Sequence, residues 1–277
     1  MGAAGEMTDR SAGARPRCLY ATAVWGQWHV QTFIDMNVPT MLAAGNLPAF
    51  AALVDTTYAI YTPARDRARM EAAPSIRRMM EVVRVEFRDL TDDEIGAPVA
   101  THHHVWNQVM EQARAEAGYV LLMPPDVAWS DGSLGHLAGL IVAGKEAMFL
   151  NWHVRSVADT FIRTFLADHE PSADCAIAVP SRDLVRRSLE HVHPMTGAYL
   201  RDSRYFPFHP EMIFWPVEGE GLLMHILALV PFVFRADALE LLPTRLVGRM
   251  GSRDKLHFVV DSDDLYMVSL AELNKDA

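Results

Sequence analysis

Cysteine is nearly missing: Cys18 and Cys175 are the two in 277 residues, and they form no Cys-x-x-Cys pair. That excludes a disulfide framework and the common cysteine-based zinc and redox sites, and it fits a reducing compartment. Positive charge is also in short supply. Lysine and arginine number 25 against 35 acidic residues, for a formal charge of -10, which argues against a protein that works by neutralising a phosphate backbone. Nucleic acid is therefore not an expected partner, and the small clusters Arg65, Arg67, Arg69 and Arg77, Arg78 fit a solvated helix face. Long apolar runs are lacking as well. The first 17 residues have no apolar core of signal-peptide length, and no later stretch reaches the ~20 apolar residues of a membrane span. The longest candidate, Gly221 to Phe234, is interrupted by His225 and Pro231 and reads as buried core. The expected location is the cytoplasm. Phosphate-binding Gly-x-x-x-x-Gly-Lys-Ser/Thr, dinucleotide-binding Gly-x-Gly-x-x-Gly, the Gly-x-Ser-x-Gly elbow and the kinase motif set are all absent from the sequence, so those enzyme classes lack their signatures.

What is present is a globular composition, half apolar and 22% charged, on a chain long enough to bury a core without covalent staples. Cys18 to Val24 reads as a strand, followed by Trp25-Gly26-Gln27-Trp28 and helical spacing of Val30, Phe33 and Ile34. Pro39 and the Gly45-Asn46-Leu47-Pro48 turn are expected to break that helix. Tyr58 to Thr62 and the alternating Val83 to Phe87 read as further strands, with the arginine-bearing helix between them. Val105, Val109 and Ala113 predict a helix over 101–117 that delivers the chain into Tyr119 to Met123, an uninterrupted apolar run suited to a mid-sheet strand. Ser133 is placed as the N-cap of a helix carrying Leu134, Leu137, Leu140 and Ile141, before a strand at Ala147 to Leu150. The alternation predicts an α/β fold with a mostly parallel open sheet and helices on both faces. The second half is less regular: capped helices at Ser156 to Leu166 and Ser181 to Val192, strands at Met212 to Trp215, Leu227 to Phe234 and Leu256 to Val260, and an aperiodic stretch from Pro194 to Pro216 read as a lid. Residues 1–17 are expected to form a flexible tail and 18–277 a single α/β domain.

In such sheets ligands sit at the carboxyl ends of the strands, where helix N-termini and free N–H groups converge. Two acidic loops are expected there. Pro124 to Ser133 contains Asp126 and Asp131; Asp126 can hold a divalent cation or a sugar hydroxyl, whereas Asp131 and Ser133 serve equally well as helix caps. Asp261-Ser262-Asp263-Asp264 follows a strand, and Asp261 with Asp263 can bind Mg²⁺ or Mn²⁺ together with a diphosphate, although an acidic turn is also an ordinary solvated turn. The histidines gather at His102-His103-His104, His191-x-His193 and His209. Consecutive helical side chains point ~100° apart, so the triplet cannot bind one ion, and His193 and His209 suit a general base toward sugar hydroxyls. Trp25 and Trp129 are candidates for stacking on a base or sugar ring, with ordinary packing as the alternative.

The first strand, Pro125-Asp126-Val127-Ala128-Trp129-Ser130-Asp131-Gly132-Ser133, Ala44-Gly45-Asn46-Leu47-Pro48-Ala49 and Gly219-Glu220-Gly221-Leu222-Leu223 together resemble bacterial proteins related to GT-A glycosyltransferases, over most of the chain from Cys18. The resemblance implies a GT-A or Rossmann-like fold, residues 18–150 as the donor-binding half and 151–277 as the acceptor and lid half. It implies a nucleotide-sugar donor with Trp25 near the base and Asp126 near the sugar or a divalent metal (Mn or Mg); Asn46, Trp129 and Tyr205 are further candidates for holding the donor. Asp126, Asp131, His193 and His209 would serve catalysis, and a small-molecule or glycan hydroxyl would be the acceptor. The sequence departs from the family's carboxylate pair, since Val127-Ala128 follow Asp126. Two other readings stay open: a metal-assisted hydrolase or other group transferase using His and Asp residues, and a nonenzymatic sugar or nucleotide binder. Oligomeric state, including a homo-oligomer, is not fixed by the sequence.

Overall fold

A first strand that is buried at consecutive positions sets the architecture. In a computed structural model, which describes residues 15–96, 98–116, 118–150, 154–204, 212–226, 231–238 and 252–273, Arg17–Ala23 forms strand β1. Its Cys18 and Tyr20 point to one face, where they join Phe33, Phe50, Ile76 and Leu137. Its Leu19, Ala21 and Ala23 point to the other, against Val105, Val109 and Ala113. Side chains of a strand alternate between faces, so both faces of β1 are covered, one by helices Gln27–Thr32, Leu47–Leu53, Pro74–Val82 and Ser133–Val142, the other by helix Pro98–Ala115.

β1 pairs in parallel with β2 (Asp55–Thr62) on one side and β4 (Tyr119–Met123) on the other, and β2 pairs in parallel with β3 (Arg84–Asp89). Beyond β4 come β10 (Pro231–Arg235), antiparallel to both its neighbours, then β6 (Ala147–Phe149) and β11 (Leu256–Phe258), which pair in parallel. The sheet order is β11-β6-β10-β4-β1-β2-β3. The chain is thus α/β, with a mostly parallel seven-stranded sheet. A second sheet joins β5 (Val127–Trp129), β12 (Met267–Ala271) and β7 (Arg155–Val157), and β8 (Met212–Val217) with β9 (Gly221–Ile226) makes a hairpin. Among the described residues no helix is long and apolar enough to cross a membrane.

Several local expectations fail for identifiable reasons. Pro39 does not break its helix: the backbone stays helical through a π-turn at Phe33–Asn37 into Val38–Met41, and a π-turn shifts the hydrogen-bond ladder just before the residue that lacks an N–H. The arginine-bearing helix is two, Ala64–Ala72 and Pro74–Val82, because Pro74 cannot continue the first. Ser156 caps nothing; it is buried in β7, and its Oγ donates to Ser188 O at 2.8 Å. Strand pairing begins before Cys18, since Asp55 N donates to Pro16 O at 2.8 Å and Arg15 Nη1 to Ala51 O at 2.8 Å; residues 1–14 of the expected tail lie outside the described residues. The aperiodic stretch is partly ordered as helix Pro194–Ala198 and β8, while 205–211 lie outside the described residues. The apolar run from Gly221 to Phe234 divides: β9 lies in the hairpin with Leu223 63% exposed, while Phe232, Val233 and Phe234 of β10 are buried core. Residues 227–230 lie outside the described residues.

Candidate functional site

The register of β1 with β4 brings two loops together. Thr22 stands beside Met123, so Trp25 and Asp126, each three residues farther on, leave the same sheet edge from adjacent strands about 5 Å apart. Gly26 takes φ 81°, a left-handed backbone that glycine adopts without a Cβ clash, and its N–H donates to Asp66 Oδ2 at 2.8 Å. That turn leaves Trp25 half-buried against the second core cluster. His102 lies 5.4 Å from its ring in a tilted contact, and His29 6.4 Å away in a stacked one. The cluster therefore combines an aromatic face with two imidazoles at the carboxyl ends of the parallel strands.

Asp126 is held from its backbone. Asn37 Nδ2 donates to Pro125 O at 3.1 Å and reaches Pro124 O at 3.4 Å, while Leu270 N donates to Asp126 O at 2.8 Å. Asp126 is half-buried. What the sequence presents as a loop is strand β5, paired antiparallel with β12 from Trp129 and Met267 to Val127 and Ser269. A three-residue strand carries too little periodicity to be read locally.

The remaining expected site residues separate. Trp129 is fully buried and packs on Phe232 with ring centroids 5.9 Å apart, so it is core and presents no open stacking face. Asn46 is also fully buried: its Nδ2 donates to Thr40 O at 2.9 Å and Ser130 O at 3.0 Å, and its Oδ1 accepts from Leu134 N at 3.0 Å. It is a strut that caps helix Ser133–Val142 from another part of the chain, which is the role expected of Ser133. Ser133 is instead the first helical residue after Gly132, and its Oγ donates to Tyr266 O at 3.2 Å. Asp131 Oδ1 accepts from Gly45 N at 2.8 Å and braces the turn before Asn46. His193 is 3% exposed and its Nδ1 accepts from Met195 N at 3.2 Å, capping helix Pro194–Ala198, so it is a buried cap and not an accessible base. Tyr205 and His209 lie outside the described residues.

The histidine triplet divides as helical geometry requires: His102 faces Trp25, His103 stacks on Trp106 at 5.6 Å, and His104 Nε2 lies 2.9 Å from Glu94 Oε1. Glu94 is held below the usual carboxylate range by the Thr91 N–H, the Thr91 hydroxyl and His104. The acidic turn is bonded within itself and to one guanidinium. Asp263 Oδ2 accepts from Arg182 Nη2 at 3.2 Å, Asp261 Oδ1 accepts from Asp263 N at 2.9 Å, and among the described residues no group of three or more His, Cys, Asp or Glu is arranged to hold a metal. Of the expected residues, Asp261 lines a cavity of about 460 Å³ formed by the ends of β6 and β11, the hairpin strand β9 and helix Ser181–Glu190.

No protein-family model matches the chain, and no curated protein matches it in sequence. Solved structures of sugar-handling enzymes do resemble it. The mannosyltransferase Ktr4p of S. cerevisiae matches over 94% of this chain and 72% of its own length, at 9% identity and a TM-score of 0.37. Mouse xyloside xylosyltransferase 1, in its apo form, matches over 55% of this chain and 58% of its own, at 11% identity and a TM-score of 0.34. A putative glucose-1-phosphate thymidylyltransferase from Bacillus anthracis, in complex with a sucrose, matches over 52% and 57%, at 12% identity and a TM-score of 0.29. The chain spans less than two thirds of the latter two proteins.

Proposed function

We propose that this chain transfers a glycosyl group from a nucleotide-sugar donor to a hydroxyl acceptor, with the donor in the crevice at the carboxyl ends of β1, β2 and β4. The observation that carries the reading is the shared edge of Trp25 and Asp126, three residues beyond the Thr22–Met123 register pair. An aromatic face and a carboxylate leaving one sheet edge can stack a base and orient a sugar, a combination suited to a donor with a planar group at one end and hydroxyls at the other. In this reading Trp25 takes the base, with His29 and His102 beside it, and Asp126 faces the sugar. A carboxylate there stabilises the positive charge that develops at the anomeric carbon as the diphosphate leaves, provided it is fixed before the reaction starts. The hydrogen bonds from Asn37 to the Pro125 carbonyl and from Leu270 to Asp126 supply that fixation.

The test is a thermal-shift screen of nucleotide-sugars, with and without Mn²⁺, followed by turnover with hydroxyl acceptors. A ligand that binds the native state alone raises the melting temperature. Asp126→Asn, nearly isosteric but uncharged, should keep the fold and the donor-induced shift while lowering turnover at least 100-fold. Binding without turnover in the wild type would favour the nonenzymatic sugar or nucleotide binder, and kinetics unchanged in the variant would refute the assignment of Asp126.

A further inference from the structure

The 460 Å³ cavity opens on the same sheet edge as the donor crevice. β10 runs antiparallel to both β4 and β6, so β6 runs with β4, and Phe149 and Leu150 at the end of β6 face the same side as Asp126. β4 and β6 are separated by one strand, a lateral offset of about 10 Å. The volume is that of a small-molecule site, for which about 300–1,000 Å³ is usual. Its walls are apolar: Phe149 stacks on Phe258 at 4.7 Å, and Val185 and Leu189 close it from the helix side. Its lip is apolar too, with Leu223 63% exposed and Val260 89% exposed. Exposed large apolar side chains converging from separate elements on one concavity mark a binding site.

Polar groups at the cavity restrict the ligand's charge. Glu220 and Asp261 line it, and both, together with Asp263, act electrostatically on a single guanidinium, Arg182, which is paired with Asp263 at 3.2 Å. Three carboxylates against one cation leave the rim negative, so an anionic head is repelled. Tyr266 is no competing polar contact, because its hydroxyl is bonded to Ser188 Oγ at 2.6 Å inside the core.

The geometry points to this cavity as the seat of the apolar portion of the acceptor, an amphiphile with an alkyl or aryl group and an uncharged or cationic polar end. The polar end would lie toward Asp126, across the single intervening strand. This assignment rests on the donor crevice proposed above, and its test is separable from that reading. Hexyl, heptyl and octyl β-D-glucosides, kept below their micelle concentrations, are titrated by calorimetry against octyl sulfate. Affinity should rise about fourfold per added methylene, the ratio that burial of one such group gives, and octyl sulfate should bind at least tenfold more weakly than octyl glucoside. Leu223→Glu and Val260→Glu change side chains already in solvent; each should weaken octyl glucoside at least tenfold and leave the nucleotide-sugar thermal shift intact. Absence of chain-length dependence, tighter binding of the sulfate, indifference to both variants, or adsorption to neutral vesicles in place of saturable binding would each overturn the proposal. Alkyl binding that persists with no donor binding would overturn glycosyl transfer and the acceptor role together.

Discussion

Replacing Asn46 by alanine tests whether its side chain is a structural brace. The side chain is completely buried and makes three hydrogen bonds, to Thr40 O, Ser130 O and Leu134 N. Asn46→Ala leaves these groups unequal. Thr40 O and Ser130 O keep long contacts from Ala43 N and Ser133 N, each at 3.4 Å, so their loss is about 0.5–1.5 kcal/mol apiece. Leu134 N is in the first turn of its helix, where no intrahelical carbonyl serves it, and a buried orphan N–H costs about 1–3 kcal/mol. The sum is about 2–6 kcal/mol, or roughly a 10 °C fall in melting temperature at about 2–4 °C per kcal/mol for a domain of this size. Urea unfolding should show a lower midpoint with an unchanged slope, since the exposed surface is the same. Asn46→Asp adds a sign to the test. Its carboxylate still accepts from Leu134 N but faces two carbonyl oxygens without a proton, so the folded form favours protonation and the aspartate titrates above its unfolded value. Its deficit against wild type should therefore shrink as pH falls from 7 toward 4. A loss below about 1 kcal/mol for Asn46→Ala would show that the strut is not carrying the turn.

Two glycines on helix Ser133–Val142 should respond with opposite signs. A Cβ on Gly135 would lie 2.6 Å from Gly45 O, whereas one on Gly139 meets nothing within 4 Å; Gly135→Ala should destabilise by about 2 kcal/mol and Gly139→Ala stabilise by about 0.5–1 kcal/mol. Equal effects in chemical denaturation would contradict the close approach of the two segments. Trp25→Ala should weaken nucleotide-sugar binding about tenfold, the lower range of base stacking on an aromatic ring, with a melting-temperature change of only a few degrees. An unaltered dissociation constant would remove Trp25 from the donor site. His257 is held below its ordinary value of 6.5 by burial and by the repulsion of His136 and Lys145, opposed by Asp264. The unfolded chain thus takes up its proton first, and stability should fall as pH drops below about 6.5 toward the folded value. His257→Gln should flatten that slope in pH-dependent urea melts, and an unchanged slope would assign the loss to other groups.

The parts of the fold that were legible are those fixed by local periodicity. Cys18 to Val24 is a short apolar run of strand length, and Val105, Val109 and Ala113 recur at helical spacing, so β1 and the helix on its far face follow from the sequence and agree with the structure. β5 was not legible, because its three residues are a strand only by virtue of β12 near the other end of the chain. The antiparallel insertion of β10 between β4 and β6 is likewise a pairing choice that no local pattern encodes. Asn46 shows the same limit at a single residue. The Gly-Asn-Leu-Pro signal correctly marks a turn, but the amide's partners at Ser130 and Leu134 lie 84 and 88 residues away.

The polar network around the β4–β5 corner connects these long-range contacts to the proposed chemistry. Asn37 holds the Pro124 and Pro125 carbonyls, Leu270 holds the Asp126 carbonyl, and Asn46 holds Ser130 and the helix that follows. Asp131 Oδ1 accepts from Gly45 N within the same frame. The backbone that carries Asp126 is thus fixed through its carbonyls, and Asp131 ties the frame to the turn before Asn46. Preorganisation of that kind is most useful where charge develops during a reaction, since a group already fixed need not reorient as the bond breaks. The same frame ends beside β10 and β6, so the fixed carboxylate and the apolar cavity belong to one sheet edge, and the separation between them is set by strand spacing and not by a hinge.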